Sequence, residues 1–176
     1  MDVRKKNAPR DHGIWTQRAP QAVDFSAPAH PTRGVFRAST ISVLSDARIL
    51  VADDDPLLLE AVAEALSGLG ARVTRAATGA ELVDELAAAG PFDLVVTDVA
   101  MPWMSGLTAM RAARTAGLGT AVIVMTARQD EQIPAQVRAL GRNAVLLRKP
   151  FGLDELEKIV SKLLTRLNPA TAATDV

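Results

Sequence analysis

The stretch Arg48-Ile49-Leu50-Val51-Ala52-Asp53-Asp54-Asp55-Pro56 decides the fold. A short aliphatic run ends abruptly in three carboxylates, and a proline follows. An apolar run of that length bounded by polar residues reads as a buried strand. Proline suits the first turn of a helix, where the missing N–H has no intrahelical acceptor anyway. The arrangement recurs downstream: Phe92-Asp93-Leu94-Val95-Val96-Thr97 leads to Asp98, Thr120-Ala121-Val122-Ile123-Val124-Met125 to Thr126, and Asn143-Ala144-Val145-Leu146-Leu147-Arg148 to Lys149-Pro150. In a parallel α/β sheet the carboxyl ends of the strands open on one edge, where ligands bind. If these runs belong to one sheet, acids, a hydroxyl and an ammonium converge there. Those groups suit a divalent cation and a phosphoryl group.

Working outward, apolar runs alternate with amphipathic stretches from Ala47 onward. Strands are expected over 48–52, 71–75, 93–97, 120–125 and 144–148, and helices over 56–68, 79–89, 106–116, 131–140 and 153–166. Leu58, Leu59, Val62, Ala65, Leu66 and Leu69 share one helical face, and Gly70 fits the position just past that helix. Thr78 is a cap for the second helix, and Pro134 is tolerable only near the start of the fourth. Leu153, Leu156, Ile159, Val160, Leu163 and Leu167 form a stripe on the last. Near-continuous Val/Ile/Leu strands imply burial on both faces, as in a parallel sheet. Successive βα units with right-handed crossovers give a doubly wound α/β domain over 46–167.

Composition narrows the function. Hydrophobic residues make up 48% of the 176, ample for a core. There is no cysteine, so no disulfide framework, thiolate metal site or cysteine nucleophile is available. The two histidines, His12 and His30, both lie outside the patterned region. Residues 1–45 hold seven Lys/Arg and three Asp/Glu, a balance of +4 that offsets −4 over the remainder. With no basic stripe in the folded part, nucleic-acid binding by the core is not expected. No run approaches the ~20 apolar residues of a membrane span, and no apolar signal core follows the N-terminus. The expectation is a soluble, cytoplasmic protein. Residues 1–45 have scattered prolines and no sustained period, and read as a disordered extension; a basic docking arm and translation starting near Val43 are the other readings. Residues 168–176 read as a flexible tail.

Each site position has an ordinary explanation alone. One aspartate at a strand–helix junction can simply cap the helix, but that accounts for one acid of the three. Adjacent carboxylates repel unless a cation offsets them. Asp98 can merely end a strand, yet Met101-Pro102 and Gly106 build a defined loop behind it and leave the carboxylate open as a nucleophile. Thr126 is an ordinary strand residue, though beside a phosphoryl oxygen it would donate a hydrogen bond. Lys149 after an apolar strand is costly unless paired, and Pro150 is compatible with either peptide isomer.

Taken together, Ile49-Leu50-Val51-Ala52-Asp53-Asp54-Asp55-Pro56, Asp93-Leu94-Val95-Val96-Thr97-Asp98 with Met101-Pro102 and Gly106, Val124-Met125-Thr126-Ala127, and Arg148-Lys149-Pro150-Phe151 resemble the receiver domain of bacterial two-component response regulators, over about residues 47–166. The resemblance implies a flavodoxin-like five-stranded sheet in the order 2-1-3-4-5. It implies that Asp98 accepts a phosphoryl group from a sensor histidine kinase or histidine phosphotransfer protein. It implies Mg²⁺ held by Asp54, Asp98 and the Ala100 backbone carbonyl, with Asp53 acting through a water. Lys149 would pair with phosphoryl oxygens, and Thr126 would shift toward them. The protein would be a signalling phosphoacceptor rather than a conventional enzyme. It would be of stand-alone type and would work by changing protein partners, a phosphorylation-dependent homodimer among them. The partner surface would include Gln132, Gln136, Arg148, Leu153 and Lys158.

Three departures stand out. Leu146 occupies the place of a common aromatic switch residue, and the chain has no tyrosine. The stretch from Gly141 to Lys149 is one residue longer than usual. Ala100 has no polar side chain to orient an attacking water, and Arg128 is placed to cover the phosphoryl group, so slow self-dephosphorylation is expected. An aspartate-nucleophile phosphatase would want a second carboxylate where Ala100 stands. A nucleotide-binding enzyme would want a glycine-rich loop where the three aspartates stand. The remaining rival is a receiver-fold adaptor or dimerisation module that works without phosphorylation.

Overall fold

The computed structural model describes residues 44–167. The tail expected over 168–176 lies outside the described residues, as does the N-terminal extension apart from residues 44 and 45. Leu44 is fully buried in the core, and the Asp46 amide donates to the Gly70 carbonyl at 3.0 Å, so the packed body includes Leu44. Among the described residues no helix is long and apolar enough to cross a membrane.

Five strands, β1 (Arg48–Ala52), β2 (Arg72–Ala76), β3 (Leu94–Asp98), β4 (Ala121–Thr126) and β5 (Ala144–Arg148), alternate with five helices, α1 (Pro56–Gly68), α2 (Gly79–Ala88), α3 (Gly106–Thr115), α4 (Gln132–Ala139) and α5 (Leu153–Leu167). All neighbouring strands are parallel, in the order β2-β1-β3-β4-β5, as the resemblance implies. The central strands β3 and β4 are buried along their whole length. The edge strands are not: β2 exposes Arg72 and Arg75, and β5 is half-buried over most of its length. α1 and α5 pack on one face of the sheet, around Val62, Leu66, Leu156 and Val160. α2, α3 and α4 pack on the other, around Leu82, Met110 and Val137.

Local chemistry sets the element ends. Pro56 opens α1, and Asp55 Oδ1 accepts from the Leu57 and Leu58 amides at 2.9 and 3.3 Å, so one acid of the run is indeed a helix cap. Gly70, at φ +96°, closes the same helix. Its amide donates to the Ser67 carbonyl, and the Ala71 amide to that of Leu66, which satisfies two otherwise orphaned acceptors. Thr78 caps α2, and Pro134 sits in the first turn of α4.

β2, β3 and β4 each begin and end one residue later than the pattern indicates. The parallel ladder continues through Asp98↔Met125 and Thr126↔Arg148. Asp98 and Thr126 are therefore the last residues of their strands rather than the first of the loops, which holds their backbones in the sheet.

Candidate functional site

Asp53, Asp98 and Thr126 are the polar residues buried with the core, along with Thr97. All three face the carboxyl edge, where β1, β3 and β4 lie side by side. Lys149 follows β5 and crosses to them: its Nζ is 2.7 Å from Asp53 Oδ2 and 2.7 Å from Asp98 Oδ1. The lysine side chain is 19% exposed. Its backbone is fixed as well, because the Lys149 amide donates to the Thr126 carbonyl at 2.8 Å. The Lys149–Pro150 peptide is cis.

Each remaining acceptor has a partner. Asp53 Oδ1 accepts from the Asp55 amide at 3.0 Å, and Asp98 Oδ2 from the Ala100 amide. Thr126 Oγ1 accepts from the Arg128 amide at 3.0 Å, while Arg148 Nη1 donates to the Arg128 carbonyl at 2.7 Å. The peptide links of Arg128 are thus gripped on both sides, by the site threonine and by the residue preceding the site lysine. The sequence reading placed Arg148 on a partner surface and missed this contact, because an exposed arginine has no local pattern that reveals a carbonyl partner 20 positions away.

Gly106 explains how the loop after β3 returns so tightly. A Cβ there would meet the Asp98 carbonyl and Thr97 Oγ1. Gly79, opening α2, touches the same loop: a Cβ would lie 2.8 Å from the Met104 carbonyl carbon and 2.9 Å from its Cβ. Leu146 is half-buried against the helix α2–α4 side of the core. The turn into β5 carries Gly141 at φ +110°, with the Ala144 amide donating to the Gly141 carbonyl at 3.1 Å.

Electrostatically, two buried carboxylates share one ammonium. Burial pushes the Asp53 carboxyl above its ordinary value, against the opposing pull of Lys149 and the Asp55 amide. Burial acts first and downward on Lys149, but its hydrogen bonds to Asp53 and Asp98 outweigh it and hold the ammonium above the ordinary lysine value. Two carboxylates thus stand against one ammonium, an oxygen-rich surrounding that favours a further cation.

The cation was expected on Asp53, Asp54, Asp98 and the Ala100 carbonyl. Among the described residues no three acidic, histidine or cysteine side chains are drawn together into a metal-holding group. Asp54 is exposed, and the lysine stands between the other two carboxylates. A closed cage is not needed for Mg²⁺, which keeps several waters and takes one or two carboxylates plus phosphate oxygens. Hard oxygen donors fit that ion. A cleft of about 400 Å³ lined by Ala127, Gln129, Glu131, Arg148 and Lys149 opens beside the lysine.

Comparison with known proteins agrees with this geometry. The family model for the response regulator receiver domain matches residues 49–161. Response regulator MprA of Mycobacterium bovis is 39% identical over 127 residues, 72% of this chain and 54% of its own length. Its counterpart in Mycobacterium avium is 38% identical over 130 residues, 73% and 56% of the two chains. The chain therefore spans about half the length of the curated relatives it matches. Among solved structures, the receiver domain of the Francisella response regulator 1452 aligns with a TM-score of 0.64 at 27% identity, covering 69% of this chain and 99% of that one. The BeF3-activated DrrB receiver domain aligns with a TM-score of 0.60 at 32% identity, over 69% and 99%. With its sheet order and its carboxyl-edge constellation, the chain belongs to the family of response regulator receiver domains of two-component systems.

Proposed function

We propose that Asp98 accepts a phosphoryl group from a phosphohistidine on a sensor histidine kinase or phosphotransfer protein in the cytoplasm, and that the modified chain exchanges protein partners. The observation that carries this reading is the Lys149 ammonium 2.7 Å from Oδ1 of the buried Asp98. An Asp98 oxygen forms the new P–O bond as the P–N bond to imidazole breaks, and the electron pair leaves with the imidazole nitrogen. Phosphoryl transfer asks for positioning and charge neutralisation more than for covalent help. The Ala100 amide and Lys149 fix the carboxylate, and Lys149 is ready to follow the charge onto the phosphoryl oxygens. Asp54, Asp98 and the Ala100 carbonyl, with Asp53 through a water, would hold Mg²⁺, and the ion would supply charge neutralisation to nucleophile and donor.

The change then spreads through Thr126. Its hydroxyl turns toward the phosphoryl group, and the Arg128 amide it now holds must follow. Arg148 links that loop to β5, so the readout lies on α4, β5 and α5, where Gln132, Arg148 and Lys158 are exposed and Gln136 and Leu153 half-buried. The shift is a two-state equilibrium biased by the new contacts. It sets affinity for a target or for a second copy of the chain.

Incubation with acetyl phosphate and Mg²⁺, followed by intact mass measurement, tests the reading. One added phosphoryl group, absent from Asp98→Ala, is the expected result. An unlabelled chain would instead favour an adaptor that works without phosphorylation, in which Lys149 permanently pairs the two carboxylates.

A further inference from the structure

Trp103 lies in the β3–α3 loop, five residues beyond Asp98, and its side chain is fully exposed (100%). Its backbone is also unusual, with φ +64°. A bulky residue in the left-handed region is a genuine outlier. Such a conformation persists only where the surroundings over-determine it, and such places cluster at functional sites. Here the surroundings are visible. The Met104 amide donates to the Pro102 carbonyl at 2.7 Å across Trp103, Met104 packs into the core behind it, and Gly79 and Gly106 let α2 and the Asp98 backbone close on the loop from two sides. A rigid support thus presents the largest apolar side chain of the domain to solvent at the rim of the acidic site.

The adjacent lip has matching features. β1 and β3 are neighbours, so the β1–α1 loop borders the same opening. Leu57, 81% exposed, follows that loop in the first turn of α1, beside the exposed carboxylates of Asp54 and Asp55. Trp103 makes no hydrogen bond or ion pair with Asp98, Thr126 or Lys149 among the described residues, so its place is outside the reacting atoms.

We infer that Trp103, with Leu57, is the apolar anchor that docks the phosphohistidine-bearing protein, which covers the rim with an apolar hollow flanked by basic side chains. This rests on the phosphoacceptor reading above. A macromolecule that delivers a phosphoryl group to Asp98 must approach across these two lips, whereas a small donor need not touch them. Exposed tryptophans carry a large share of the affinity where they meet a partner pocket, and the exposed Asp55 carboxylate beside Leu57, outside the set assigned to Mg²⁺, calls for positive charge opposite.

The test compares two phosphodonors on the full chain. One is acetyl phosphate. The other is an autophosphorylated sensor histidine kinase, chosen from those of the source genome as the one that transfers fastest to the unaltered chain. Trp103→Ala is expected to raise the KM for the kinase about tenfold or more with kcat little changed, while labelling by acetyl phosphate stays within about twofold; Trp103→Phe is expected to recover most of the loss. Unchanged kinetics with the kinase would overturn the inference, and so would equal losses with both donors, which would put Trp103 in the chemistry of the site. Labelling by acetyl phosphate but by no kinase would remove the partner altogether. Failure of acetyl phosphate on the unaltered chain would instead strike the phosphoacceptor reading.

Discussion

Lys149 reaches Asp98 from two strands away, and its ammonium, 2.7 Å from Oδ1, is shared with Asp53 at the same distance. The two partners are not equivalent in stability. Lys149→Met leaves two buried carboxylates facing one another, and is expected to cost about 3 kcal/mol in urea unfolding without Mg²⁺. Asp98→Asn keeps the Lys149–Asp53 pair and removes one of two like charges, so a change within about 1 kcal/mol is expected. Equal losses in the two variants would contradict this account of the shared ammonium.

Ala100 is exposed and stands two residues after Asp98, its amide already donating to the Asp98 carboxylate. No side-chain group there can align a water with an aspartyl phosphate. Ala100→Asn supplies one, and is expected to shorten the lifetime of the phosphorylated chain by about tenfold. The check is the decay of the phosphoryl mass after removal of acetyl phosphate. An unchanged lifetime would separate position 100 from the hydrolysis rate.

The backbone of Trp103 has a cost that glycine does not share. Left-handed φ is unfavourable for a side chain with a Cβ and nearly free for glycine. Trp103→Gly is therefore expected to raise stability by about 1 kcal/mol, read as an upward shift in the urea midpoint. A loss of stability would mean that the indole contributes packing despite its exposure.

Glu60 and Arg75 pair α1 with the edge strand β2 through two hydrogen bonds of 2.9 Å. The Arg75 guanidinium holds the Glu60 carboxyl below its usual value. A carboxylate whose value is depressed in the folded chain adds stability above its unfolded value, here 4.5, and loses it as pH falls further. Both partners reach solvent, so the effect is small. Glu60→Gln is expected to lower the urea midpoint slightly at pH 7, and the deficit is expected to shrink as pH falls below 4.5. A deficit that does not shrink on acidification would have to come from something other than the charge.

The order of strands and helices was legible because each element carries its own signal: aliphatic runs for β1, β3 and β4, Pro56 and Gly70 at the two ends of α1, Thr78 before α2. The convergence of Asp53, Asp98, Thr126 and Lys149 was legible because parallel topology puts every strand end on one edge. Other features depend on distances that no local pattern encodes. That Asp98 and Thr126 are strand residues follows from ladder bonds to neighbouring strands. Asp55 proved to be a cap, Asp54 to be exposed and Asp53 to be the lysine's partner, a division of labour among three identical side chains that only packing decides. The grip of Arg148 on the Arg128 carbonyl and the closeness of Gly79 to Met104 join segments whose contact appears only when the sheet and its helices are assembled.

Asp53 and Lys149 are separated by 96 positions, and the lysine follows the last strand, which is also an edge of the sheet. During synthesis the carboxylates therefore leave the ribosome well before the ammonium that neutralises them. Contacts spanning so much of a chain form late, after loop closure has been achieved. The acidic pocket is completed only when β5 docks, so competence to receive a signal doubles as a certificate that the domain has finished folding.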